Sequence, residues 1–127
     1  MRMTNAMDDI ATVMLPERVD SATSASVEAL MFAALRPGAR VIVDGSAVTY
    51  MSAAGVRVLA TAIHRAADEG THIVLCRFSG PAADCLLVSG FSQLFDVAGS
   101  VEEARKRLDS NPAGYTAERL HRRGTTG

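Results

Sequence analysis

The chain has 127 residues, of which 48% are hydrophobic and 21% charged, with a formal net charge of −1. That length suggests one domain, and the apolar fraction is enough to fill a core. Near neutrality, the absence of Trp and an aromatic content of 5% exclude the basic bias and the base-stacking platforms of nucleic-acid binders.

Met1 to Asp9 reads as a polar lead-in. Ile10 to Leu15 is an apolar run of strand length, ended by Pro16, and Glu17 to Asp20 reads as a turn. Asp20 or Ser21 is placed to cap a helix, because their side-chain oxygens can accept from its free N–H groups. In that helix Val27, Leu30, Met31 and Ala34 recur at i, i+3, i+4 and i+7, one buried stripe. Pro37-Gly38 ends it.

Val41-Ile42-Val43 is an unbroken β-branched run, the pattern of a strand covered on both faces. Asp44 to Ala47 turns the chain, and Val48 to Met51 becomes apolar again. A second helix starts near Ser52. Val56, Leu59, Ala60, Ile63 and Ala67 form its buried face, and Arg57, Thr61, His64, Arg65 and Asp68 the opposite one. Gly70 is placed to end it in a left-handed conformation.

His72 to Cys76 is another buried strand. Ser79-Gly80-Pro81 opens a third helix, with Ser79 as cap and Pro81 in its first turn. Gly90 closes it, and Phe91 can fold back onto the last turn. Leu94 to Val97 reads as a short strand. Ser100 and Glu103 form a capping box before a last helix whose buried face is Val101, Ala104 and Leu108. Residues 110–127 read as a flexible, mildly basic tail. This order of elements implies one α/β domain over residues 1–109, with a mostly parallel sheet of four or five strands and about four helices packed against it.

Enzyme signatures are scarce. There is no Gly-rich phosphate cradle and no nucleophile elbow. His64, His72 and His121 are scattered and read as surface or strand-end residues. Asp20, Asp44 and Asp96 lie where strands meet loops, and turn formation accounts for them. No compact ligand motif marks a metal site, and no cofactor is implied. Cys76 and Cys85 form no CxxC and read as small buried apolar groups in a reducing compartment. No leader segment is recognisable and no apolar run approaches the ~20 residues of a membrane helix. A cytoplasmic protein without membrane insertion is therefore expected.

Ligands of open parallel sheets usually meet the loops at the carboxyl ends of the strands. Here those loops bring Arg18, Asp20, Ser46, Ser52 and Gly55 into proximity, on a small and mildly polar surface suited to a protein partner.

With these residues laid out, the chain resembles the STAS domain family, and within it the bacterial anti-sigma-factor antagonists, over residues 10–108. Leu15-Pro-Glu-Arg-Val-Asp20 is similar to the family's G-E-L-D turn, with Pro16 in the usual Gly place. Val41 to Met51 is similar to V-V-L-D-L-S-G-V-T-F-I. Ser52-Ala53-Ala54-Gly55-Val-Arg-Val-Leu59 sits on D-S-S-G-L-x-V-L, and the stretch from Ser89-Gly90-Phe91 to Ala104 matches the second half.

The resemblance implies a non-catalytic module that binds an anti-sigma factor, itself a serine kinase, and so regulates sigma-factor-dependent transcription. It implies a partner surface made of Arg18, Asp20, Ser46, Ser52, Ala53, Ala54, Gly55, Val56 and Arg57. It also implies phosphorylation at the first Ser of D-S-S-G. That position is Ala53 here, which has no oxygen to modify, and Ser52, one residue earlier, is the available substitute or simply a helix cap. Direct contact with nucleic acid is not implied, and a monomer or weak dimer is the working expectation. Two other readings stay open: the same fold as a subunit of a lipid-transport ABC complex or of a stress-signalling assembly, and a small thiol enzyme using Cys76 or Cys85. Nucleotide binding, known for some relatives, has no direct support in the loops.

Overall fold

The computed structural model describes residues 10–90 and 94–110. Among them, four parallel strands form the main sheet: β1 (Ile10–Met14), β3 (Arg40–Asp44), β5 (His72–Cys76) and β6 (Val97–Ala98), side by side in that order. A separate two-strand ribbon pairs β2 (Arg18–Val19) with β4 (Tyr50–Met51), also in parallel. The helices are α1 (Ser24–Ala34), α2 (Ala53–Asp68), α3 (Gly80–Val88) and α4 (Val101–Ser110). This is the expected α/β architecture. The lead-in, the Phe91 contact and the tail lie outside the described residues.

Strand alternation divides the core in two. Val41, Val43, Ile73 and Leu75 point to the side covered by α1, α2 and α3. Ile42, Val74 and Cys76 point to the other side, where Ala104 and Leu108 of α4 meet them. Both central strands are therefore buried on each face, which is why their sequences are apolar without interruption. No helix among the described residues is long and apolar enough to cross a membrane.

Most element boundaries agree with the sequence pattern, and the departures have local causes. In α1 only Val27 and Met31 are buried, while Leu30 is 46% exposed. This helix packs on α2 and β1 from one side, so an i, i+4 stripe suffices. Asp20 does not cap α1. Its Oδ1 accepts from the N–H groups of Ala22 and Thr23, shaping the turn that precedes the helix, and Thr23 takes the cap position. Ser79 is at the cap position of α3 without a side-chain cap bond. Along α2, Ile63 and Ala67 are half-buried, and Ala62 and Ala66 are fully buried in addition to the expected face. Gly70 has φ +70°, the left-handed stop anticipated for it.

The capping box at α4 is shifted by one residue. Glu103 N–H donates to Ser100 Oγ at 3.1 Å, but Glu103 Oε1 accepts from Gly99 N–H at 2.9 Å. The last strand begins at Val97, later than expected, because Leu75 N–H reaches the carbonyl of Asp96 and the ladder starts there.

His72 opens β5, a strand-end histidine as expected, but it does not lie at the surface. It is buried, and its Nε2 lies 3.0 Å from Asp96 Oδ2. Asp96 also receives Arg107 of α4, which reaches Glu103 at 2.8 Å as well. This network, together with Arg40 to Asp109 at 3.1 Å, fastens α4 to the sheet. The His72 hydrogen bond holds the Asp96 carboxyl below its ordinary value of 3.8, against the cost of burial and with help from Arg107.

Two outcomes follow for stability. Leu108→Ala empties a fully buried position under α4 and is expected to destabilise by about 2–5 kcal/mol in urea unfolding. A depressed Asp96 stabilises the fold above the ordinary carboxylate value and loses that contribution as pH falls through its lower folded value. Asp96→Asn should therefore lower stability at neutral pH and flatten its decline below pH 3.8, as read by denaturation across an acid series.

Candidate functional site

The loops after β1 and β3 are joined at the backbone. In the ribbon, Arg18 faces Tyr50 and Val19 faces Met51. The carbonyl of Glu17 accepts from Thr49 N–H at 2.8 Å, and the carbonyl of Val19 accepts from Ser52 N–H at 3.0 Å. The start of α2 is thus hung on the first loop. Gly55 permits this approach, because a Cβ at that position would lie 2.2 Å from the Val19 carbonyl oxygen.

Ser52 is the N-cap of α2. Its Oγ accepts from Gly55 N–H at 3.3 Å, and its carbonyl accepts from Val56 N–H. Ala53, the first helical residue, is exposed, Ala54 is half-buried and Gly55 is buried. No acidic residue occupies the first turn, so the partial positive charge of the helix start is not offset from within the helix. The surface offered by Ser52 to Ala54 is small and uncharged.

Arg18 and Asp20 flank this surface. Arg18 Nε donates to Asp20 Oδ2 at 3.2 Å, and its guanidinium lies over the Tyr50 ring, 4.5 Å from the centroid. Burial raises the Asp20 carboxyl, but bonds from Thr23, Arg18 and Ala22 outweigh it and hold it below the usual carboxylate value.

Ser46 is drawn into a different cluster. Asp44, buried at the end of β3, accepts from Ser46 N–H at 2.9 Å and from Arg77 Nε at 3.3 Å. Arg77 also donates to Ser46 Oγ at 3.1 Å. Burial pushes the Asp44 carboxyl up, yet the Ser46 and Arg77 bonds bring it below its ordinary value. Arg77 holds φ +64°, a left-handed conformation costing a side-chain-bearing residue ~1–2 kcal/mol, which its two bonds to this loop can offset. Phe78 follows and packs over Gly45, where an added Cβ would meet the ring at 2.7 Å. The third loop therefore braces the second.

The sequence-derived surface is thus brought together in part. Arg18, Ser52, Ala53 and Arg57 are accessible to differing degrees, whereas Gly55 and Val56 are buried and act as support. Val56 reaches the surface only in the floor of an open groove of about 260 Å³ between the start of α2 and the end of α3. Arg77, Tyr50 and Phe78 were not singled out from sequence. A loop at 76–81 was visible, but nothing in it signalled a left-handed Arg reaching back to Asp44. Cys76 is fully buried, and burial, then the nearby Asp44 charge, raises its thiol above its ordinary value, which opposes a reactive role. Among the described residues no group of three or more His, Cys, Asp or Glu could hold a metal ion.

A four-stranded parallel sheet with its polar loops gathered at one end, and α2 starting there, defines the class as an α/β domain with a strand-end surface. The chain belongs to the STAS domain family, whose model matches residues 2–104. Over 99 residues it is 30% identical to BtrV of Bordetella bronchiseptica, named as an anti-sigma factor antagonist, covering 77% of this chain and 85% of that one. A Thermotoga maritima protein described in the same terms superposes with a TM-score of 0.70 at 11% identity, over 80% of this chain and 89% of that one. The murine anion transporter Slc26a9 gives 0.72 at 19% identity, over 81% of this chain but only 18% of the transporter. The two structural likenesses establish the fold.

The glycine contacts give a graded expectation. Gly55→Ala forces backbone against backbone and should destabilise by about 1–3 kcal/mol or more in chemical denaturation. Gly45→Ala meets a half-buried ring that can turn aside, so its cost should be the smaller of the two.

Proposed function

We propose that this chain is an anti-sigma-factor antagonist that sequesters its partner through the start of α2, and that it is not switched off by phosphorylation there. The similarity to BtrV across most of both chains supports the antagonist class. The observation that carries the finer reading is Ala53: exposed, first in the helix, and in the place of the family's phosphoacceptor serine. A phosphate there would add ~1.5–2 negative charges inside the contact. Alanine removes that option while leaving a surface that a partner shaped for a small neutral residue accepts. Ser52 is a poor replacement, being half-buried and engaged with Gly55 N–H as the cap. The role is one of binding, and the partner is an anti-sigma factor of the serine-kinase type, met in the cytoplasm.

The test uses the full chain with the purified anti-sigma-factor serine kinase of the same cell, with and without ATP. Wild type should bind equally in both conditions and show no added phosphate by intact mass. Ala53→Ser should acquire one phosphate and lose binding once ATP is present. A phosphate on Ser52 in wild type would overturn the unswitched reading. Failure to bind the kinase, with a transporter ATPase co-purifying instead, would favour the lipid-transport alternative.

A further inference from the structure

The groove beside Ala53 has a one-sided character. Val56 of α2 lines it together with Cys85 and Val88 of α3. Leu87 and Val88, 71% and 82% exposed, are the two most exposed large apolar side chains among the described residues, and both lie at this end of α3. On the near rim stands Arg57, one turn into α2 and exposed. It makes no ion pair among the described residues, whereas Arg18, Arg40, Arg65, Arg77 and Arg107 each have a carboxylate. Among the described residues no carboxylate lines the groove, and Asp84, the single acidic residue of α3, lies outside the lining. The start of α2, which has no acidic residue in its first turn, opens onto the same place.

Two demands therefore coincide: apolar surface to be covered and positive charge to be matched. We infer that this groove receives an apolar side chain of the anti-sigma factor that carries a carboxylate close by in its own chain, the apolar group seating between Val56 and Val88 and the carboxylate pairing with Arg57. This rests on the antagonist reading and extends it, since it fixes the chemistry of the partner's contact element. A buried apolar anchor with a charged rim contact is how small interfaces concentrate their affinity and orientation. Arg57 here is a recognition residue that selects against a partner bearing a cation at the same place.

Cys85 supplies a reporter that needs no substitution, because it lines the groove while Cys76 is sealed in the core. In the experiment, the full chain is treated with a maleimide alone and in complex with the purified kinase, and the rate at Cys85 is followed by mass. Binding is measured in parallel for wild type, Arg57→Lys, Arg57→Glu and Val88→Asp across a salt series, with thermal melts confirming that each variant is folded. Alkylation of Cys85 should slow about tenfold in the complex, Arg57→Glu and Val88→Asp should each weaken binding about tenfold or more, and Arg57→Lys should keep most of it. Salt should weaken wild-type binding but strengthen the residual binding of Arg57→Glu, where it screens a repulsion between like charges. If the kinase binds all variants alike and Cys85 stays reactive, the groove inference fails while the antagonist reading survives. If wild type does not bind the kinase, the antagonist reading itself fails. If Cys85 is already protected in the free chain, a second copy (when protection grows with concentration) or the chain's own residues (when it does not) fill the groove, and the inference is overturned.

Discussion

The contact between Gly55 and the carbonyl of Val19 is the constraint on which the surface depends. Most helices that follow a strand could pivot about their first turn. Here the α2 backbone is pressed against the first loop, Ser52 N–H is bound to the same carbonyl, and the ribbon of β2 and β4 fixes the loop that supplies it. A side chain at position 55 would push the helix away and break the hydrogen bond together with the packing. The site is therefore set by backbone geometry, and the exposed residues Ser52 to Ala54 inherit their positions from it.

Electrostatics reinforce the arrangement without filling it. Asp44 is buried at the end of β3 and is satisfied by Ser46 and Arg77, so its charge orients a loop and is not presented to solvent. Asp20 does similar work in the first loop, where it shapes the turn before α1 and holds Arg18 over Tyr50. Both carboxylates are thus consumed internally, in orienting the loops after β1 and β3.

The parts of this fold legible in the sequence were those governed by burial periodicity. The runs at 41–43 and 72–76 could only be central strands, and the five polar residues of α2 from Arg57 to Asp68 are all exposed as their spacing demands. What escaped was long-range pairing. His72 and Asp96 are separated by 24 positions and meet because β5 and β6 are neighbours, a fact no local pattern records. Arg77 escaped for a similar reason, since its left-handed backbone and its reach to Asp44 arise from the packing of two loops. At the helix start, the spacing already placed Val56 on the buried face, whereas nothing in the sequence marked Gly55 as pressed against the Val19 carbonyl.

The helix α4 turns away from all of this. It leaves β6 at the loop-bearing end and runs back along the reverse face until Asp109 meets Arg40, where β3 begins. The molecule is consequently polar in the geometric sense, with the loops after β1, β3 and β5 at one pole and the closing contact of α4 at the other. A reporter or an immobilising surface joined at the pole marked by Arg40 and Asp109 would leave the opposite one unobstructed, and the domain could be tethered there without disturbing the start of α2.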